Sequence, residues 1–153
     1  MTAKRDRPFG RFNFLVDLGT GETAGPDAGF QECSAIGTEV EIVEYRNGND
    51  AENNVQKITG LNKATDVTMR RGVIGSASLY AWLDQVRDGD EAALRTVRIT
   101  LQSEDHSTTV QTAVLKNARA VRYVTGPFDG RSSEVALEEL TIAYERLELE
   151  DLT

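Results

Sequence analysis

Ser103, Asp105 and His106 stand together in SEDHST and are the three residue types of a hydrolase nucleophile, orienting acid and base. That chemistry needs the base to reach the nucleophile while the acid holds the base, a geometry drawn from separate elements. Neighbours in one short loop do not supply it, so no catalysis is expected and the chain reads as a non-enzyme. Glu39 and Glu41 lie two apart on one strand face, ~6.6 Å from each other by strand rise. No nucleophile, histidine or cation cluster converges on them in sequence, so they read as a solvated acidic face. Gly19–Gly29, GTGETAGPDAG, has the glycines of a phosphate loop in a G-x-G-x-x-x-G spacing with no helix behind them. Without a helix N-terminus no dipole would hold a pyrophosphate. Asn47–Asn54, NGNDAENN, offers calcium-type oxygen ligands but lacks the acidic order and terminal glutamate of a calcium loop. Cys33 and His106, each the sole residue of its type and far apart, give no zinc or iron spacing. The expectation is of no catalytic residue, no cofactor and no metal.

The elements that would have to position any chemistry are nearly all strands. The exception is Gly60–Gly89, whose second half predicts the one helix, over 76–88. Leu79, Trp82, Leu83 and Val86 fall at i, i+3, i+4 and i+7 and form one apolar stripe. Ser76 or Ser78 can accept a hydrogen bond from a first-turn amide. Arg87 suits the last turn and Gly89 a left-handed stop. A lone amphipathic helix among strands is expected to plug or cap a sheet or barrel through that stripe.

Elsewhere the period is two. Strands are expected over Arg11–Leu18, Phe30–Ile36, Thr38–Arg46, Val55–Thr59, Thr65–Arg71, Leu94–Gln102, Thr108–Lys116 and Ala118–Thr125. A long one is expected from Val135 to Leu147, where Leu140, Ile142 and Tyr144 alternate with Glu139, Thr141 and Ala143. Residues 1–10 read as a flexible arm, Asn47–Asn54 as a loop opened by an Asn-Gly turn, and Arg70–Arg71 as a basic spot at the surface. Cys33 reads as a small buried or half-buried strand residue.

At 153 residues the chain is one domain, 1–153, and buries ~70% of its unfolded surface without needing a disulfide or metal. Its net charge of −8 argues against stable nucleic-acid binding, which needs clustered Lys and Arg. No stretch approaches the ~18 apolar residues of a membrane span, and the basic N-terminus lacks the apolar run of a secretory signal. Synthesis in the cytoplasm is therefore expected. Strand edges must be covered or paired, and the pattern suits a ligand barrel as well as a sheet shared between subunits.

Four blocks decide more. They are PFGRFNFLVDL at the start, GFQECSAIGTEVEIVEYRNGND with VQKITGLNKATDVTMRRGV, the helix SLYAWLDQVRDG, and the closing VALEELTIAYERLEL. Together they resemble the inner tube proteins of contractile phage tails and related contractile injection systems, across most of the chain. The main departure is the long acidic, glycine-rich loop Gly19–Gly29.

The resemblance implies a mainly β subunit with one helix, its two packed antiparallel sheets forming a β-barrel-like unit that assembles into a hexameric ring. Rings would stack into a hollow tube, which a contracting sheath drives through a target envelope to conduct cargo. Implied partners are further copies of the chain, the sheath protein, the baseplate hub, tube-end proteins, and effector protein or DNA in transit. The particle would be a phage tail or an injection particle, released from the cell in some systems. Alternatives are a tube-initiator or tube-end ring of the same fold, and a monomeric small-ligand barrel. The 47–54 loop resembles the family's projecting hairpin, so Asn47, Asn49, Asp50, Glu52 and Asn54 are inter-subunit or inter-ring contact candidates, as are Arg70 and Arg71. Six copies at −8 each would give a ring a formal charge of −48, some of it facing the lumen, for which Glu39 and Glu41 are candidates.

Overall fold

The computed structural model describes residues 4–152. In chain order the strands are β1 (Phe14–Asp17), β2 (Glu32–Cys33), β3 (Thr38–Tyr45), β4 (Gln56–Ala64) and β5 (Val67–Gly72). After helix α1 (Ser78–Arg87) come β6 (Arg95–Gln102), β7 (Thr109–Thr125), β8 (Leu137–Ala143) and β9 (Arg146–Glu150). All pairings are antiparallel. One path runs β1-β6-β7-β8-β5-β2 with β9 added to β7, and β3–β4 stands apart as a hairpin.

The long strand β7 belongs to two layers. Its first half pairs β6 and β9, and its second half pairs β8. Sequence periodicity predicts two strands here, split at Asn117. The chain instead passes through Asn117 at φ 52°, a left-handed conformation that Asn tolerates better than most side chains. The Asn117 side-chain amide donates to Glu145 Oε2 at 2.7 Å. The strand therefore turns from one sheet into the other without ending.

The inner faces of the two layers meet in one core. Val16, Val97, Ile99 and Leu115 come from the first, and Val67, Met69, Leu140 and Ile142 from the second. Helix α1 closes it with Leu79 and Trp82, each 1% exposed, while Leu83 and Val86 pack against it half-buried. The Trp82 indole N–H donates to the carbonyl of Ala93 at 2.7 Å, so this buried ring leaves no unpaired donor. The Ser76 hydroxyl accepts the Ser78 N–H at 3.3 Å, and Gly89 ends the helix at φ 75°.

Several boundaries differ from expectation. The first strand shrinks to Phe14–Asp17, leaving Phe12 exposed, and Phe30–Ile36 keeps only two strand residues. β4 runs through Gly60 because Gly60 and Leu61 together oppose Glu41, a bulge. A Cβ at Gly60 would lie 3.0 Å from the Glu41 carbonyl oxygen. The final strand is two, β8 and β9, interrupted at Tyr144–Glu145. Inward residues change there from even to odd positions, from Leu140 and Ile142 to Leu147, which a single extended strand cannot do. Of the 1–10 arm, residues 1–3 lie outside the described residues. In the rest, Arg5 donates to Glu104 Oε1 at 2.5 Å and the Gly10 N–H to the same oxygen at 3.1 Å.

Candidate assembly surface

The β3–β4 hairpin is the least self-sufficient part of the molecule. A two-stranded sheet is at best marginally stable without cover on one face. This one exposes Val40, Ile42, Val43, Tyr45, Val55, Ile58 and Leu61, from 44% for Val55 to 72% for Leu61. Antiparallel pairing sets Val43 beside Ile58, and Val40 and Ile42 fall on the opposite face. Apolar side chains thus emerge on both faces. The hairpin is tied to the barrel at its base, where the Thr65 N–H and the Tyr144 hydroxyl donate to the Gly37 carbonyl at 2.9 and 3.0 Å.

Its tip is built by one arginine. Arg46 donates to the carbonyls of Glu52 and Asp50 at 3.1 and 3.2 Å, and Asp50 Oδ2 accepts the Asn47 N–H at 3.0 Å. The guanidinium thus occupies carbonyls that a calcium ion would need. Asn47, Asn49, Glu52 and Asn54 are exposed and Asp50 is half-buried. Glu41 pairs with Lys63, and this hydrogen bond raises the Lys63 pKa. Glu39 lies opposite Lys63 in the ladder, so the two glutamates form a partly neutralised strip.

The paired arginines separate. Arg70 stays at the surface and bonds Glu139 at 2.5 Å, with Glu32 at 3.7 Å. Arg71 is 1% exposed, which corrects its placement as a surface contact. Its Nε donates to Glu138 Oε1 at 2.6 Å, Nη1 to the Asp27 carbonyl at 2.6 Å, and Nη2 to Ser78 Oγ at 3.2 Å. The Tyr123 hydroxyl donates to the other Glu138 oxygen. Burial, then Glu138, raises the Tyr123 pKa. This network joins β5, β7 and β8 to the helix start and the Gly19–Gly29 loop. Parity was its signal. Arg71 follows Val67 and Met69 on the inward face, and Glu138 precedes Leu140 and Ile142 on theirs.

The triad letters do not assemble. Ser103 Oγ donates to Asp105 Oδ1 at 2.7 Å, while the His106 ring meets Gln102 Oε1 at 3.2 Å. Hydrogen bonds from the Ser107 and Ser103 hydroxyls hold the Asp105 carboxyl well below the usual range. Serine thus donates to the acid, as in a capped turn rather than a nucleophile–base pair. Cys33 is half-buried, and burial pushes its thiol to about 11. Among the described residues no group of three His, Cys, Asp or Glu could hold a metal ion, and no helix is long and apolar enough to cross a membrane.

The subunit is two strand layers capped by one helix, with an arm-like hairpin whose apolar side chains stay exposed. The chain belongs to the T4-like virus tail tube protein gp19 family, which it matches over residues 10–148. It is a structural protein of the tail-tube kind. Among solved structures, the anti-feeding prophage tube terminating cap is similar at TM-score 0.81 and 23% identity, over 98% of this chain and 95% of that one. A chain of the sheath-tube complex of the PVC extracellular contractile injection system, in its extended state, gives 0.80 and 23%, over 95% and 93%. Hcp1 from Flavobacterium johnsoniae gives 0.52 and 11%, over 90% and 94%. At these identities the likeness is one of fold. No curated protein sequence is significantly similar.

Proposed function

We propose that this protein is the repeating subunit of the inner tube. Six copies form a ring, rings stack into a hollow tube, and a contractile sheath propels that tube through a target envelope with cargo in its lumen. The tube is assembled from subunits made in the cytoplasm and meets the sheath along its outside and baseplate and tube-end proteins at its ends. The protein does no catalysis; its work is mechanical. The observation that carries this is the hairpin. Its seven apolar residues are exposed on the isolated subunit and would be covered by a neighbouring copy, and a head-to-tail contact of this kind closes into rings or runs on as a filament. Among further contact candidates, Asn47, Asn49, Asp50, Glu52 and Asn54 lie at its tip and Arg70 beside β2, whereas Arg71 is withdrawn. Glu39 and Glu41 remain candidates for the lumen.

The test is negative-stain electron microscopy of the purified protein with its elution volume on a sizing column. Hollow rings or stacked tubes with six-fold end views are expected. A monomer at every concentration, with no rings in any field, would count against self-assembly as the chain's own property.

A further inference from the structure

Asn47 is the one asparagine of the chain that a glycine follows. The pair opens the tip of the β3–β4 hairpin, and the Asn47 side chain is exposed there. The Tyr45 hydroxyl donates to its amide oxygen, Oδ1, at 2.5 Å. The main chain of Asn47 is held on both sides. Its N–H donates to Asp50 Oδ2 at 3.0 Å, and its carbonyl accepts the Asp50 N–H at 3.1 Å. The Gly48 N–H, by contrast, has no acceptor among the described residues. A Cβ on Gly48 would find no atom within 4 Å.

These features set an electrophile beside a free nucleophile. A carboxamide carbon reacts poorly until a donor takes up the charge growing on its oxygen, and the Tyr45 hydroxyl stands where that donor is needed. The Gly48 nitrogen is the next main-chain nitrogen, so its attack on Asn47 Cγ closes a five-membered ring without any bimolecular encounter. Glycine gives that nitrogen the widest torsional freedom and no side chain to hinder it. We propose that the hairpin tip is a site of spontaneous modification, where Asn47, polarised by the Tyr45 hydroxyl, is converted to aspartate and isoaspartate with loss of ammonia. The Gly48 nitrogen bonds to Cγ and gives up its proton through water. The Cγ–Nδ2 bond breaks, and Nδ2 takes a proton and leaves as ammonia. One water then opens the cyclic imide. Cleavage at Cγ gives aspartate; cleavage at the Asn47 main-chain carbonyl gives isoaspartate, with the chain running on through Cβ and Cγ. Water is the only co-reactant. Either product adds a carboxylate next to Asp50, and isoaspartate also lengthens the turn that Arg46 holds through the Asp50 and Glu52 carbonyls. The tip thus gains negative charge with age. This holds for the free subunit and does not depend on the tube assignment.

The test incubates the purified chain at neutral and mildly alkaline pH and follows the tryptic peptide 47–57 by liquid chromatography and mass spectrometry. Two separately eluting acid forms modified at Asn47 are expected, formed faster at the higher pH because the Gly48 nitrogen must lose its proton. Asn49, exposed in the same tip but followed by Asp50, should stay an amide and serves as the internal control. Gly48→Ala meets open space and no positive φ, so it should keep the circular dichroism of the wild type and nearly stop the change. Tyr45→Phe removes one exposed hydroxyl and should slow the change about 2- to 10-fold, the rate equivalent of one solvent-exposed hydrogen bond. An Asn47 that remains an amide for as long as Asn49 does overturns the proposal. A Tyr45→Phe rate equal to or above the wild type's also overturns it, because the reaction would then owe nothing to the folded tip.

Discussion

Arg71 and Glu138 sit at the junction of the helix, the glycine-rich loop and three strands, and both are almost fully withdrawn from water. Removing one partner of such a pair leaves a buried charge uncompensated, so Arg71→Ala should lower stability by about 3–5 kcal/mol in chemical denaturation. Replacing both by Met and Leu should cost much less, because no orphan charge remains. Trp82→Ala should also cost about 3–5 kcal/mol, read as a fall in the denaturation midpoint. An unchanged midpoint would mean that the ring is not a core residue. Glu104 allows a prediction in pH. Chiefly the Arg5 hydrogen bond, and less so the Gly10 N–H, hold its carboxyl at about 2 against an ordinary 4.5. A depressed acid stabilises the fold fully above its unfolded value and loses that contribution as pH falls through the folded one. The tie between the 4–10 segment and the 103–108 turn should therefore persist at neutral pH and be lost between about 4.5 and 2. The Gly10 amide shift, followed by NMR, should titrate with a midpoint near 2 in the wild type and show no such transition in Glu104→Gln. The contact is exposed, so added salt should weaken it.

At the scale of elements, most of the fold could be read because period-two alternation and the helical stripe report burial directly. The exceptions have physical causes. Asn117 looks like a strand end because asparagine favours turns, yet a single left-handed residue can bend a strand without ending it. Tyr144–Glu145 looks continuous because helix formers and alternation persist across it, although the inward parity changes. Arg71 shared parity with Val67 and Met69 and was legible as inward-facing; arginine's usual place at the surface outweighed that signal. The hairpin was the hardest element to place. Val40 and Ile42 alternate as in any half-buried strand, yet both stand exposed, and alternation in one chain does not say what covers a face. Replacing Asn47–Asn54 by a two-residue Asn-Gly turn should leave a folded subunit, with unchanged circular dichroism, that no longer polymerises. Normal tubes from this variant would remove the tip from the contact surface and leave the strands to make it.

At the scale of the whole molecule, the net charge of −8 opposes self-association at long range. Surface charges interact over ~8 Å at physiological ionic strength and much less at 1 M. If basic residues near the N-terminus and Arg70 bridge to acidic patches on neighbours, tubes at 0.1 M salt should shorten or dissociate at 1 M, as scored by sedimentation. Tubes that lengthen instead would identify the residual repulsion as the stronger effect. The fold also has a bearing on load. β7 enters as a strand of one sheet and leaves as a strand of the other, with no chain break or loop between them. A force applied to the first sheet therefore reaches the second along covalent backbone, and the side-chain interface need not transmit all of it. A subunit pushed end-on would therefore resist shearing of its two layers against each other as one stiff body.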